Sequence, residues 1–189
     1  MGGLRRLISP RTVGGSLVVV MTLWAGFLLA RNDGLIGVST SATGCVCHNS
    51  SPDASGQVTV TISGQQTVAP SSTNSYTITV SGGPSGTTGG FNLTADGGTL
   101  IAGANNRLET GELTHADRNS RSWTFEWQAP ATEGTNNFFA VAQATNGSGT
   151  SGDSWNWFGA QAGAGFPILV QEPLQVHPSS WGRIKSTYR

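Results

Sequence analysis

Apolar side chains recur at every second position in several short stretches of this chain. Val58, Val60 and Ile62 alternate with Thr59 and Thr61, and Tyr76, Ile78 and Val80 alternate with Thr77 and Thr79. Trp123, Phe125 and Trp127, interleaved with Thr124 and Glu126, form the strongest such run. A strand turns successive side chains to opposite faces, so a period of two predicts half-buried strands. Phe91 with Leu93, and Leu100 with Ile101, continue the pattern in shorter pieces. Residues 138–144 (FFAVAQA) predict a more fully buried strand, and residues 166–171 (FPILVQ) the last one. Turn chemistry separates these runs at Ala69-Pro70-Ser71, Gly82-Gly83-Pro84, Gly97-Gly98, Asn105-Asn106 and Asn146-Gly147. About seven short strands, with turns every ~8–12 residues, predict an all-β, immunoglobulin-like β-sandwich. It would span residues 56–172, with Trp123 and Trp127 as the largest core members.

One segment breaks the pattern. Residues 12–30 carry no charge, and residues 17–30 (LVVVMTLWAGFLLA) are almost continuously apolar. Arg5, Arg6 and Arg11 precede the run and Arg31 follows it. Basic residues on the near side orient such a segment with its N-terminus in the cytoplasm. Residues 1–31 therefore predict one N-terminal apolar helix, acting either as a cleaved signal peptide or as an uncleaved membrane anchor. Both place everything after Arg31 outside the cytoplasm, in the periplasm or at the cell surface. A membrane is thus the first expected partner. Ala42-Thr43-Gly44-Cys45 faintly resembles a lipidation box, but the apolar run ends fifteen positions earlier, too far for a lipoprotein signal.

Charge narrows the partners further. The formal net charge is zero, yet residues 32–182 hold only Arg107, Arg118 and Arg121 against ten acidic residues. Such a body lacks the basic surface that a phosphate backbone requires, so nucleic acid is not an expected partner. Residues 32–55 predict an irregular linker. Residues 173–189 predict a basic tail that is either loose or returns to a membrane or a protein partner.

The linker carries the most informative run, Gly44-Cys45-Val46-Cys47-His48, with both cysteines of the chain. Covalent haem attachment uses C-x-x-C-H, two thioethers and an axial imidazole; here one spacer residue is missing. A c-type haem on Cys45, Cys47 and His48 would need a sixth ligand. Both methionines, Met1 and Met21, lie in the export segment, which leaves His115 as the better candidate and His177 in the tail as the other. Three further readings stand beside haem. Cys45 and Cys47 form a tight disulfide, or they join His48 and His115 around zinc or copper, or they are unreactive thiols. His115 alone also reads as a hydrogen-bonded structural residue.

GCVCHN at Gly44, GGFNL at Gly89, ELTH at Glu112, SWTFEWQAP at Ser122 and NGSGTSGDSWN at Asn146 together resemble the Reeler-like "choice-of-anchor V" domains of secreted bacterial proteins. The resemblance covers most of the chain beyond the export segment. It implies an extracytoplasmic immunoglobulin-like sandwich with a C-x-x-C-H motif near its start, and it implies no established activity. This chain departs from the family in its C-x-C-H spacing and in carrying an N-terminal apolar segment without an obvious C-terminal sorting signal.

Other signals carry less. Gly147 to Gly152 matches G-x-G-x-x-G literally, but no helical period follows it, so nucleotide binding is not expected. No serine of the domain sits in G-x-S-x-G. Glu109 and Glu112 straddle a glycine and read as a solvated loop rather than a glycosidase pair. Asn49, Asn92 and Asn146 head glycosylation sequons. Trp155, Trp157 and Phe158 form either an exposed contact patch or a cover over one end of the core. The expectation is a non-catalytic, membrane-tethered module serving as an accessory or interaction subunit of an envelope assembly. The alternatives are a c-type haem electron carrier and, less favoured, a metal-binding surface domain.

Overall fold

The computed structural model describes residues 34–53 and 57–173. Both the apolar segment 17–30 and the tail from residue 174, with His177, lie outside the described residues. Among the described residues the chain is all-β and has no helix.

The expected alternations become strands in the places where they were read. β1 (Val58–Ser63), β3 (Thr73–Gly82) and β8 (Ser122–Gln128) bury every second residue. With β5 (Thr99–Ile101) they form a four-stranded antiparallel sheet in the order β1-β3-β8-β5. The second sheet runs β2 (Thr67–Val68), β11 (Gly165–Val170), β9 (Gly134–Ala144), β4 (Gly89–Ala95), β7 (Glu112–His115), β6 (Asn106–Glu109). All its pairs are antiparallel except β11 with β2. The eleven-residue β9 is long enough to serve two partners on one side, β11 along Gly134–Phe139 and β10 (Ser154–Trp157) along Val141–Ala144.

The two sheets enclose one core. Tyr76, Trp123, Phe125, Trp127, Phe138 and Ile168 are almost wholly buried in it. Phe138 lies at its centre, with its ring centroid 4.9 Å from Tyr76, 5.4 Å from Trp127 and 5.5 Å from Phe125. The two tryptophans bury their rings and still satisfy their indole N–H groups, Trp123 on Asp117 O (3.2 Å) and Trp127 on Gly97 O (2.9 Å).

Alternation along β9 places a second, smaller core on the other side of the seven-stranded sheet. Ala140, Ala142 and Ala144 join the main core, whereas Val141 packs with Trp155 and Trp157. Val38, Cys45 and Ala162 lie against this cluster. Of the two readings of the tryptophan pair, the structure therefore shows burial: Trp155 is fully enclosed and Trp157 is 8% exposed. The edge of β1 is covered as well, because Asn156 donates to Val58 O (3.2 Å) and Phe158 forms a parallel bridge with Val60.

Candidate functional site

The linker holding the C-x-C-H run has no regular secondary structure, yet it is docked. Residues 34–53 form a strap that crosses the outer face of the seven-stranded sheet strand by strand. Over β7 and β4, Glu112 accepts from Gly37 N (2.8 Å) and from Asn92 Nδ2 (2.8 Å). Asn92 Oδ1 accepts in turn from Val38 N (3.0 Å) and Ser39 N (2.8 Å). At the far end Trp155 Nε1 donates to Asn49 O (2.8 Å), and Asp53 N donates to Trp155 O (2.9 Å). Asp53 Oδ2 then accepts from Val58 N as the chain enters β1. Backbone groups outside a sheet need such partners, and here polar side chains of β4, β7 and β10 supply them.

Between those anchors the strap folds into two successive turns, closed by Gly44 N to Ser41 O (3.2 Å) and His48 N to Cys45 O (3.0 Å). Gly44 sits at φ +51°, and a Cβ there would stand 2.2 Å from Cζ3 of Trp155. Only glycine lets the turn lie flat on the indole. The turn separates the three residues of the motif. Cys45 packs against the Val141–Trp155–Trp157 cluster, Cys47 is exposed, and His48 faces the sheet with its side chain 14% exposed.

His48 is held from both ring nitrogens. Its Nδ1 stands 2.7 Å from Oδ2 of Asp153, whose side chain is wholly buried and whose other oxygen accepts from Asn146 N (2.8 Å). An ionised carboxylate only accepts, so the Nδ1 proton belongs to the histidine. In the neutral ring Nε2 then accepts, and the side-chain amide nitrogen of Gln143 lies 3.2 Å from it. Gln143 reaches this position from β9, opposite Gly90 of β4. Its Oε1 is buried without a hydrogen-bond partner.

Burial drives the Cys45 thiol up to about 12, with the neighbouring Cys47 adding to the shift. A thiol so desolvated keeps its proton and behaves as a small apolar side chain. The two cysteines are not bonded to each other.

His115 is placed apart from this turn, at the end of β7. It is 5% exposed, its ring centroid is 6.3 Å from that of Trp123, and its Nδ1 accepts from Phe91 N at 3.3 Å. Gly90 makes room for it: a Cβ there would meet His115 Cε1 at 2.5 Å and Gln143 Nε2 at 3.2 Å. His115 and the Gln143 amide thus both lie over Gly90. Among the described residues no group of three or more His, Cys, Asp or Glu side chains is disposed to hold a metal ion.

A c-type haem would require both thiols on one porphyrin edge and a free Nε2 on the histidine. Here one thiol is packed under the strap and the Nε2 is capped by Gln143, so the arrangement does not fit that group. Asp153 on Nδ1 is what a metal-bound imidazole would need, but it equally serves to fix the strap.

Sequence reasoning singled out His48 and missed Asp153, Gln143, Asn92 and Glu112. Their signal was present in the family-like pieces: GGFNL supplies Asn92, ELTH supplies Glu112, and NGSGTSGDSWN supplies Asp153 and Trp155. With GCVCHN, four of the five pieces meet on one face of one sheet. Glu112, expected in a solvated loop, instead ties the strap down, while Glu109 pairs with Arg107 at 2.9 Å. Of the three sequons, Asn92 is buried and fully engaged, whereas Asn49 and Asn146 are exposed. No protein-family model matches the chain, and no curated protein matches it.

Proposed function

We propose that this chain is a non-catalytic, extracytoplasmic module, an immunoglobulin-like sandwich tethered to a membrane by residues 17–30, and that it serves as an accessory or interaction subunit of an envelope assembly. One observation carries the reading. The side chains with the most chemistry to offer, His48, Asp153, Glu112 and Gln143, point at the strap or at each other and hold it in place. A general acid, base or ligand must instead reach a substrate. The acidic body, the glycine-rich loop 146–152 and the uncharged apolar segment fit a tethered binding module.

The test is to extract the full chain from native membranes in mild detergent, cross-link it and size the product. A defined protein partner is expected. A monomer with nothing cross-linked to it would remove the reading's content. Covalent haem is tested on the same sample. The expected product is colourless and has the mass of the unmodified polypeptide, whereas a Soret band with a haem-staining gel band would reinstate the electron carrier.

A further inference from the structure

We infer that the outer surface of the strap is a lipid-facing surface, lying on the bilayer headgroups with Leu35 and Val46 as its apolar contacts. This rests on the reading of residues 17–30 as a membrane anchor.

Chain length brings the strap to the membrane. Ala30 closes the apolar run, and Gly34 follows four residues later. Extended backbone covers at most ~3.6 Å per residue, so Gly34 stands within about 14 Å of Ala30. Gly34 is itself fixed on the sheet, since a Cβ on it would fall 2.1 Å from Thr114 Oγ1 and 3.0 Å from His115 O. The tether therefore reaches the folded body over β7, where the strap begins.

The chemistry of that surface agrees. Leu35 (46% exposed) lies at its start and Val46 (42%) in its second turn, and both belong to the few large hydrophobic residues left exposed among the described ones. The others sit singly on β5, β6 and β11. The strap's one carboxylate, Asp53, is at its far end and accepts from Val58 N. The rest of the folded body is acidic and would be repelled by anionic headgroups, so the strap, whose single carboxylate stands at its far end, is the face that approaches them at least electrostatic cost.

The exposed Cys47 beside Val46 provides the probe, because Cys45 is only partly exposed, packs against the Val141–Trp155–Trp157 cluster and keeps its thiol protonated at neutral pH. An environment-sensitive fluorophore is attached there by maleimide in the full chain. The protein is then reconstituted in vesicles of phosphatidylcholine and phosphatidylglycerol and recovered by flotation. The expected result is blue-shifted emission, quenched by lipids carrying a shallow nitroxide. The same dye at Thr61→Cys in a Cys47→Ser background, on the outer face of the four-stranded sheet, should emit as in water. Leu35→Ser combined with Val46→Ser should lower the Cys47 quenching to the Thr61→Cys level while flotation persists, with near-ultraviolet circular dichroism confirming the fold.

Flotation with a water-like Cys47 probe, or with equal quenching on both faces, overturns the docking and leaves the anchor standing. Failure to float overturns the anchor reading and the docking with it. A blue shift that follows protein density and ignores the nitroxide lipid identifies a second copy as the occupant and also overturns the inference.

Discussion

Asp153 serves two donors from a site with no access to water, accepting from the His48 ring and from Asn146 N. Truncation to alanine would leave both without a partner, and each unsatisfied buried group costs about 1–3 kcal/mol. Asp153→Ala should therefore lower stability by about 2–4 kcal/mol, read as a fall in the urea midpoint; an unchanged midpoint would mean that the strap is held by its apolar contacts alone. Two other residues carry a pH dependence. Burial raises Cys45 from 9.0 to about 12 and Tyr76 from 10.0 to about 12. Both are neutral when protonated, so the unfolded chain gives up these protons first. Their contribution is complete below pH 9 and is lost as the pH rises towards 12. The urea midpoint should fall across that range, and Cys45→Ala should remove the earlier part of the fall. The same shift predicts that iodoacetamide adds once to the native protein, on Cys47, and twice after denaturation; rapid double labelling of the native form would contradict it.

The strap behaves as one element although it has no ladder of its own. Its first third hangs on Asn92 and Glu112, so Asn92→Ala frees the Val38 and Ser39 amides together. Hydrogen exchange should speed up at both and at Gly37, while β3 and β8 keep their protection. If exchange also rose in those strands, the strap and the sheets would open as one unit. This element was also the hardest to read. Period-two burial identified β1, β3 and β8, with pieces of β4 and β5, because one face of each meets the core, whereas β9 was marked by its continuous apolar run and β11 by the run at its end. The pattern is silent where both faces are covered, as at Trp155-Asn156-Trp157, where all three residues are buried. It is equally silent for β6 and β7, four residues each, joined at Thr110 and Gly111, both at positive φ (47° and 88°). Strands so short show too few repeats to reveal a period. The His48 partners escaped for a different reason. Asp153 and Gln143 lie 105 and 95 residues away in sequence, and only the pairing of β9 with β4 and β10 brings them to one place.

For the molecule as a whole, stability centres on the ring cluster between the sheets. Phe138 is fully buried and meets Tyr76, Phe125, Trp127 and Phe166, drawing on both sheets at once. Phe138→Ala should cost about 3–5 kcal/mol by leaving a cavity that four rigid neighbours cannot close. A loss below about 1 kcal/mol would show that the rings repack. The path of residues 34–53 across the sheet has a mechanical consequence. Tension arriving from upstream of Gly34 would meet its hydrogen bonds in sequence, as a zipper does, and not all together as a sheet in shear does. Peeled to Asp53, those twenty residues extend to roughly 70 Å at ~3.6 Å per residue. The protein thus carries its own slack, released stepwise before any load reaches β1 and the body behind it.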